Sequence, residues 1–186
     1  MGLTEWAYSL SESLLSEPLP RRWAHSLGVA KRARSLSPIL GGDAELLEAA
    51  AVLHDIGYSP AIATTGFHPL DGARFLRKQE SADDRVVCLV AHHSCALLEA
   101  EERGLRGDLE SEFEVERSDL VDALLYCDMT TTPDGMPTTP SDRLDEIVQR
   151  YGPDTIVGRF IQRAAPEIHA ASTRVEGRLA KVEAGG

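Results

Sequence analysis

The stretch from Asp43 to Gly57, DAELLEAAAVLHDIG, decides the fold. From Leu46 to Leu53 it is apolar on nearly every side, interrupted only by Glu48, so a helix built from it must sit among other helices. Asp43 is placed to cap its start and Gly57 to close it. The run is far shorter than the roughly 20 residues that span a bilayer. It ends in His54-Asp55, where burying a carboxylate costs on the order of several kcal/mol unless something compensates it. A divalent cation would compensate it.

The same period of three and four continues along nearly the whole chain, and no bounded run of period-two alternation appears, so the fold class is all-α, a helical bundle. A first helix takes Leu3, Trp6, Leu10 and Leu14 as its stripe and stops at Glu17-Pro18. A second runs from about Arg21 to Leu36. Pro69 suits the first position of a short helix reaching about Lys78, and Ser81-Ala82-Asp83-Asp84 opens a single helix through RVVCLVAHHSCALLEAEER. The acidic segment 104–116 reads as an exposed loop, followed by a helix from about Ser118 to Met129. TTTPDGMPTTP is a loop, Ser141 caps the helix DRLDEIVQRY, and 153–181 is helical with a frayed tail. Neither a repeat nor a linker divides the 186 residues, which read as one domain.

Thirty acidic against nineteen basic residues give a formal charge of -11, a field that repels a phosphate backbone. A general nucleic-acid binder is therefore disfavoured, while a small phosphate compound can still bind where a metal inverts the local potential. The amino terminus has no basic segment before an apolar run and does not read as a secretory signal. Cys88, Cys95 and Cys127 are odd in number and lack CxxC spacing, which points to small core residues in a reducing cytoplasm. No membrane partner is expected.

Five of the six histidines lie between positions 25 and 93. Arg22, His25, Val29, Ala33 and Leu36 share one helical face, which turns His25 inward. His93 continues the face of Val86, Leu89 and Val90, His92 lies below Cys88, and Asp128 continues the face of Val121 and Leu124. His68 stands directly before Pro69, where a capping role is the simple alternative. An α-helical core seldom buries several imidazoles and two carboxylates without a common partner. Imidazole and carboxylate without thiolate suit iron, manganese, zinc or magnesium.

The order His25, His54-Asp55, Asp128 on successive helices, with the strings RRWAHSLGVAKRA and AAVLHDIGY, resembles the HD-domain metal-dependent phosphohydrolases over roughly residues 20 to 150. The added His68 and His92 or His93 resemble the subgroup holding two metals, including the bacterial HD-type diadenosine tetraphosphate hydrolases. No GYP triplet follows His92-His93, which disfavours the cyclic-di-GMP phosphodiesterases. Tyr58 stands where the family often has Lys or Arg.

The resemblance implies that His25, His54, Asp55 and Asp128 ligate one divalent metal, that His68 and His92 or His93 hold a second, and that Asp55 bridges. Iron or manganese comes first, with magnesium, zinc, nickel or cobalt compatible. His54 and Asp55 would form the catalytic centre, at which a metal-activated water cleaves a phosphoester or phosphoanhydride of a nucleotide-type substrate. Arg22, Arg143 and Tyr58 are the candidate substrate contacts. Asp71, one turn past His68, is either a helix-start acid or a support for the site. His169 is read as surface. A non-catalytic nucleotide- or metal-binding module and a di-iron oxygenase would use similar ligands. The oligomeric state is not legible.

Overall fold

A computed structural model describes residues 2–79 and 82–185. The fold is all-α. Its helices are α1 (Leu3–Leu15), α2 (Pro20–Ser35), the single turn α3 (Ser37–Leu40), α4 (Ala44–Leu53), α5 (His68–Leu76), α6 (Asp84–His92), α7 (Ala96–Arg103), α8 (Arg106–Glu112), α9 (Ser118–Met129), α10 (Pro140–Tyr151) and α11 (Ile156–Gly185). Among the described residues the only extended pairing is an isolated bridge between Thr131 and Pro137.

α4 is the centre, as its composition demands. Leu47, Ala49, Ala50, Ala51, Val52 and Leu53 have no solvent exposure, and α1, α2, α6 and α9 pack around them. The alanines let these helices approach closely, and each fully buried leucine contributes about 1.5–3 kcal/mol. A second apolar cluster joins Leu125 and Met129 of α9 to Ile147 of α10 and to Phe160, Ile161, Ala164 and Ile168 of α11.

Several local expectations are corrected. α4 stops at Leu53, and His54, Asp55 and a 3-10 turn over Ile56–Tyr58 follow. Gly57 therefore does not close the helix. Its role is close approach: a Cβ there would lie 1.9 Å from the carbonyl oxygen of His68, so only glycine lets the start of α5 rest on this turn. Asp43 makes no side-chain cap; its carboxylate takes Arg85 and Arg117 instead.

The helix expected through RVVCLVAHHSCALLEAEER is broken, because Ser94 and Cys95 adopt left-handed backbone (φ 50° and 60°). Asp83 caps the start of α6 by accepting from the Arg85 amide, while Ser81 lies outside the described residues. The segment 104–116 is not simply an exposed loop, since α8 forms there and buries Leu109, with Phe113 following. Thr139, not Ser141, caps α10 through the Asp142 amide, with Pro140 in the first turn. Cys127 is buried, whereas Cys88 and Cys95 are half-buried, and all three are free thiols.

The two glycines at 57 and 107 test this packing with one substitution. Gly57→Ala is expected to destabilise by about 1–3 kcal/mol or more, because the clash is with backbone. Gly107→Ala, inside α8 with nothing within 4 Å of the new Cβ, is expected to stabilise by up to about 0.5–1 kcal/mol. Urea unfolding midpoints measure both, and shifts of the same sign would contradict the assignment.

Candidate metal centre

Five elements deliver the site. α2 presents Arg22 and His25, and the break after α4 turns His54 and Asp55 to one side. α5 begins with His68, the left-handed turn after α6 carries His93 and Ser94, and the last turn of α9 carries Asp128. His25, His54, Asp55, His93 and Asp128 are all buried, and His68 nearly so.

Three backbone carbonyls set the imidazoles. His25 Nδ1 donates to Thr132 O (2.9 Å), His54 Nδ1 to Ala51 O (2.7 Å) and His93 Nδ1 to Val90 O (2.6 Å). A carbonyl only accepts, so each Nδ1 carries a proton and Nε2 is the ring nitrogen left to face inward as a ligand. The Thr132 carbonyl reaches His25 because the loop after α9 lies against α2, where a Cβ on Gly28 would meet Gly135 O at 2.5 Å.

The Nε2 atoms face acceptors. His25 Nε2 lies 3.0 Å from Asp128 Oδ1. His54 Nε2 lies 3.5 Å from Asp55 Oδ1 and 3.9 Å from Asp128 Oδ1, is buried, and has no hydrogen-bond partner among the described residues. His68 Nε2 is 3.4 Å from Asp55 Oδ1 and 3.0 Å from His93 Nε2. The six side chains form two trios, His25-His54-Asp128 and Asp55-His68-His93, in each of which the ligand atoms lie within 4.8 Å of one another. Lone pairs aimed at carboxylates from one small buried space attract only if positive charge sits between them. These residues fit divalent cations, one per trio, with Asp55 at the seam between them.

The charges are set to match. Burial would raise the Asp55 carboxyl, but the Arg22 guanidinium outweighs it and holds it well below the carboxylate range. Burial likewise opposes ionisation of Asp128, but the polar groups around it, His25 first, hold its carboxyl below the ordinary range. Burial lowers His68 and His93, reinforced by the neighbouring imidazole of His93 for the first and of His54 for the second. Both are thereby kept neutral, the form that ligates metal.

Of the two adjacent histidines, His93 is in the cluster. His92 Nε2 donates to Phe113 O (2.8 Å) and anchors the chain after α8. Arg22 donates to Asp55 Oδ2 (2.6 Å) and lies over the Tyr58 ring at 3.4 Å, while the other face of Tyr58 stacks on His68 (3.9 Å between centroids). The cation absent at position 58 is thus supplied by Arg22 from α2. Arg143 is buried against Glu146 and lines the cleft over the cluster. Asp71 is buried; its carboxylate accepts from the amides of Thr64, Thr65 and Gly66 and holds the loop leading into His68. His169 is exposed.

Ser94 and Glu99 of the cleft escaped the sequence reading. Ser94 donates its hydroxyl to Asp128 Oδ2, and nothing in HHSC signals the left-handed turn that aims it. Glu99 is buried in the cleft wall against Arg103, and burial raises its carboxyl above the ordinary range. The steps Ala96, Glu99, Ala100, Arg103 place it on the inner face of α7, a signal that was available.

Residues 22–150 match the family profile of the HD domain. Over 70 residues the chain is 37% identical to a ribonuclease Y of Rubrobacter xylanophilus and 37% to one of Sulfurovum sp., and 36% to one of Aliarcobacter butzleri. In each case the match covers 38% of this chain and 14% of the relative, so the chain spans only a small part of these longer proteins. No solved structure matches it.

A pH dependence follows from the lowered histidines. For His68, His92 and His93 the folded state holds protons less tightly than the unfolded chain, whose ordinary value is 6.5. Their contribution is complete above that value and is lost as pH falls below it; Asp55 and Asp128 add a further loss below the ordinary 3.8. The melting temperature of chelator-treated protein is expected to drop from pH 7 to pH 5, less steeply in His68→Asn. A flat profile over that range would contradict the buried neutral imidazoles.

Proposed function

Given that the chain belongs to the HD-domain family, generally metal-dependent hydrolases, we propose that it is a phosphohydrolase cleaving a phosphoester or phosphoanhydride of a small nucleotide-type substrate. The observation that supports this most is the His54 Nε2 lone pair, buried and without a partner between Asp55 and Asp128. Divalent cations bound there, iron or manganese foremost, lower the pKa of water toward neutrality and neutralise charge developing on phosphoryl oxygens.

In this reading His25, His54 and Asp128 hold one cation, and Asp55, His68 and His93 hold the other. Ser94 keeps Asp128 oriented. Arg22, stacked on Tyr58, and Arg143 present guanidinium groups to the phosphate oxygens, for which their planar donor fork is suited. The carbonyls of Thr132, Ala51 and Val90 hold three imidazoles in the ligating tautomer, so little reorganisation accompanies binding. We read the chain as one domain working in the cytoplasm, in keeping with three free thiols and with the absence, among the described residues, of any helix long and apolar enough to cross a membrane.

The test is phosphate release from a nucleotide panel after chelation and reloading with manganese or ferrous iron. His54→Ala and Asp55→Ala are expected to keep their helical circular dichroism while losing bound metal and at least about 100-fold in turnover, and Ser94→Ala to lose about 10–100-fold. Normal turnover in either ligand variant would sink the site assignment. Metal uptake without hydrolysis of any phosphate compound would favour a non-catalytic module.

A further inference from the structure

Beside the cleft over the cluster, a space of ≈ 80 Å³, lies a larger chamber of ≈ 330 Å³. The two adjoin, since Arg22, His25, Arg143 and Arg150 line both. Arg21 joins them in the wall of the larger chamber, giving four arginines and no carboxylate, in a chain whose acidic residues outnumber its basic ones thirty to nineteen. Pro18 and Leu19, from the turn between α1 and α2, and Pro133, from the loop after α9, supply an apolar shelf.

The arginines are not fully neutralised. Arg21 pairs with Asp134, in an exposed contact, and Arg22 with Asp55. Arg143 and Arg150 share one carboxylate, that of Glu146. Four guanidinium groups thus meet three carboxylates. Arg143 is nine-tenths buried, and its Nε has no hydrogen-bond partner among the described residues, an arrangement that protein chains seldom leave unanswered.

We propose that this chamber is a subsite for the part of the substrate beyond the reacting phosphate. Arg143 and Arg150 hold a second phosphate in series, and a nucleoside packs on Pro18, Leu19 and Pro133. The preferred substrate class is then a nucleotide with two or more phosphates. An RNA strand fits less well, because a long polyanion needs an extended cationic track, whereas the net charge of this protein is -11. The catalytic meaning of the subsite rests on the phosphohydrolase reading of the adjacent cluster. Binding at the arginines does not require the metals.

Isothermal titration of the full chain in chelator separates the two. ADP is expected to bind at least about tenfold more tightly than inorganic phosphate or adenosine, with affinity falling as salt rises. Arg150→Gln and Arg143→Gln are each expected to weaken ADP binding about tenfold. Arg163→Gln, on the exposed side of α11 against Glu101 and Glu102, is expected to leave it unchanged. Arg150 is partly exposed, so its variant carries the test if Arg143→Gln fails to fold. Equal affinity for ADP and phosphate, no loss in a folded Arg150→Gln, or an RNA octamer binding as tightly as ADP would each overturn the subsite. Loss of the hydrolase reading would show instead as metal-loaded protein that releases no phosphate.

Discussion

Three buried imidazoles aim their Nε2 nitrogens at two buried carboxylates, and the rest of the structure depends on what makes that arrangement attractive. Each ring is committed by a backbone carbonyl on its other side, so the lone pairs of His25, His54 and His93 cannot turn away. Asp55 and Asp128 are held ionised although burial opposes it. Positive charge in the middle is the missing counterpart. It explains why a core that is otherwise leucine, alanine and valine tolerates this cluster at its centre.

The packing around α4 exists to hold the pieces in register. The alanines of α4 draw its neighbours close, the early stop at Leu53 turns His54 and Asp55 to the same side, and Gly57 lets α5 lie on the resulting turn so that His68 reaches Asp55. Opposite them, the contact of Gly28 with Gly135 brings the Thr132 carbonyl to His25. The strained pair Ser94 and Cys95 ends α6 and hands Asp128 a hydroxyl. Non-glycine residues in left-handed backbone persist only where their surroundings compel them, and they gather at functional sites.

Much of this was legible from periodicity. The step from Arg22 through His25 to Leu36 turned the first histidine inward, and Asp128 followed from Val121 and Leu124. The choice between His92 and His93 was not legible, because α6 ends at His92 and His93 already has extended backbone, where helical spacing carries no information. Asp43 and Ser141 looked like caps by type, yet tertiary partners claimed Asp43, and Thr139 before Pro140 made a better cap than Ser141. The segment 104–116 hid a helix because acidic residues masked Leu109 and Phe113 at a spacing of four. Arg21 and Arg150 were invisible as site residues, since only the assembled fold brings α2 and α10 to one chamber.

The central claim is that the two trios are metal sites, and anomalous diffraction from crystals of manganese-loaded protein tests it most directly. The account predicts two strong peaks per chain, one among His25, His54 and Asp128 and one among Asp55, His68 and His93, with Asp55 touching both. Crystals with no anomalous density in either trio, or with manganese only on surface carboxylates, would contradict it.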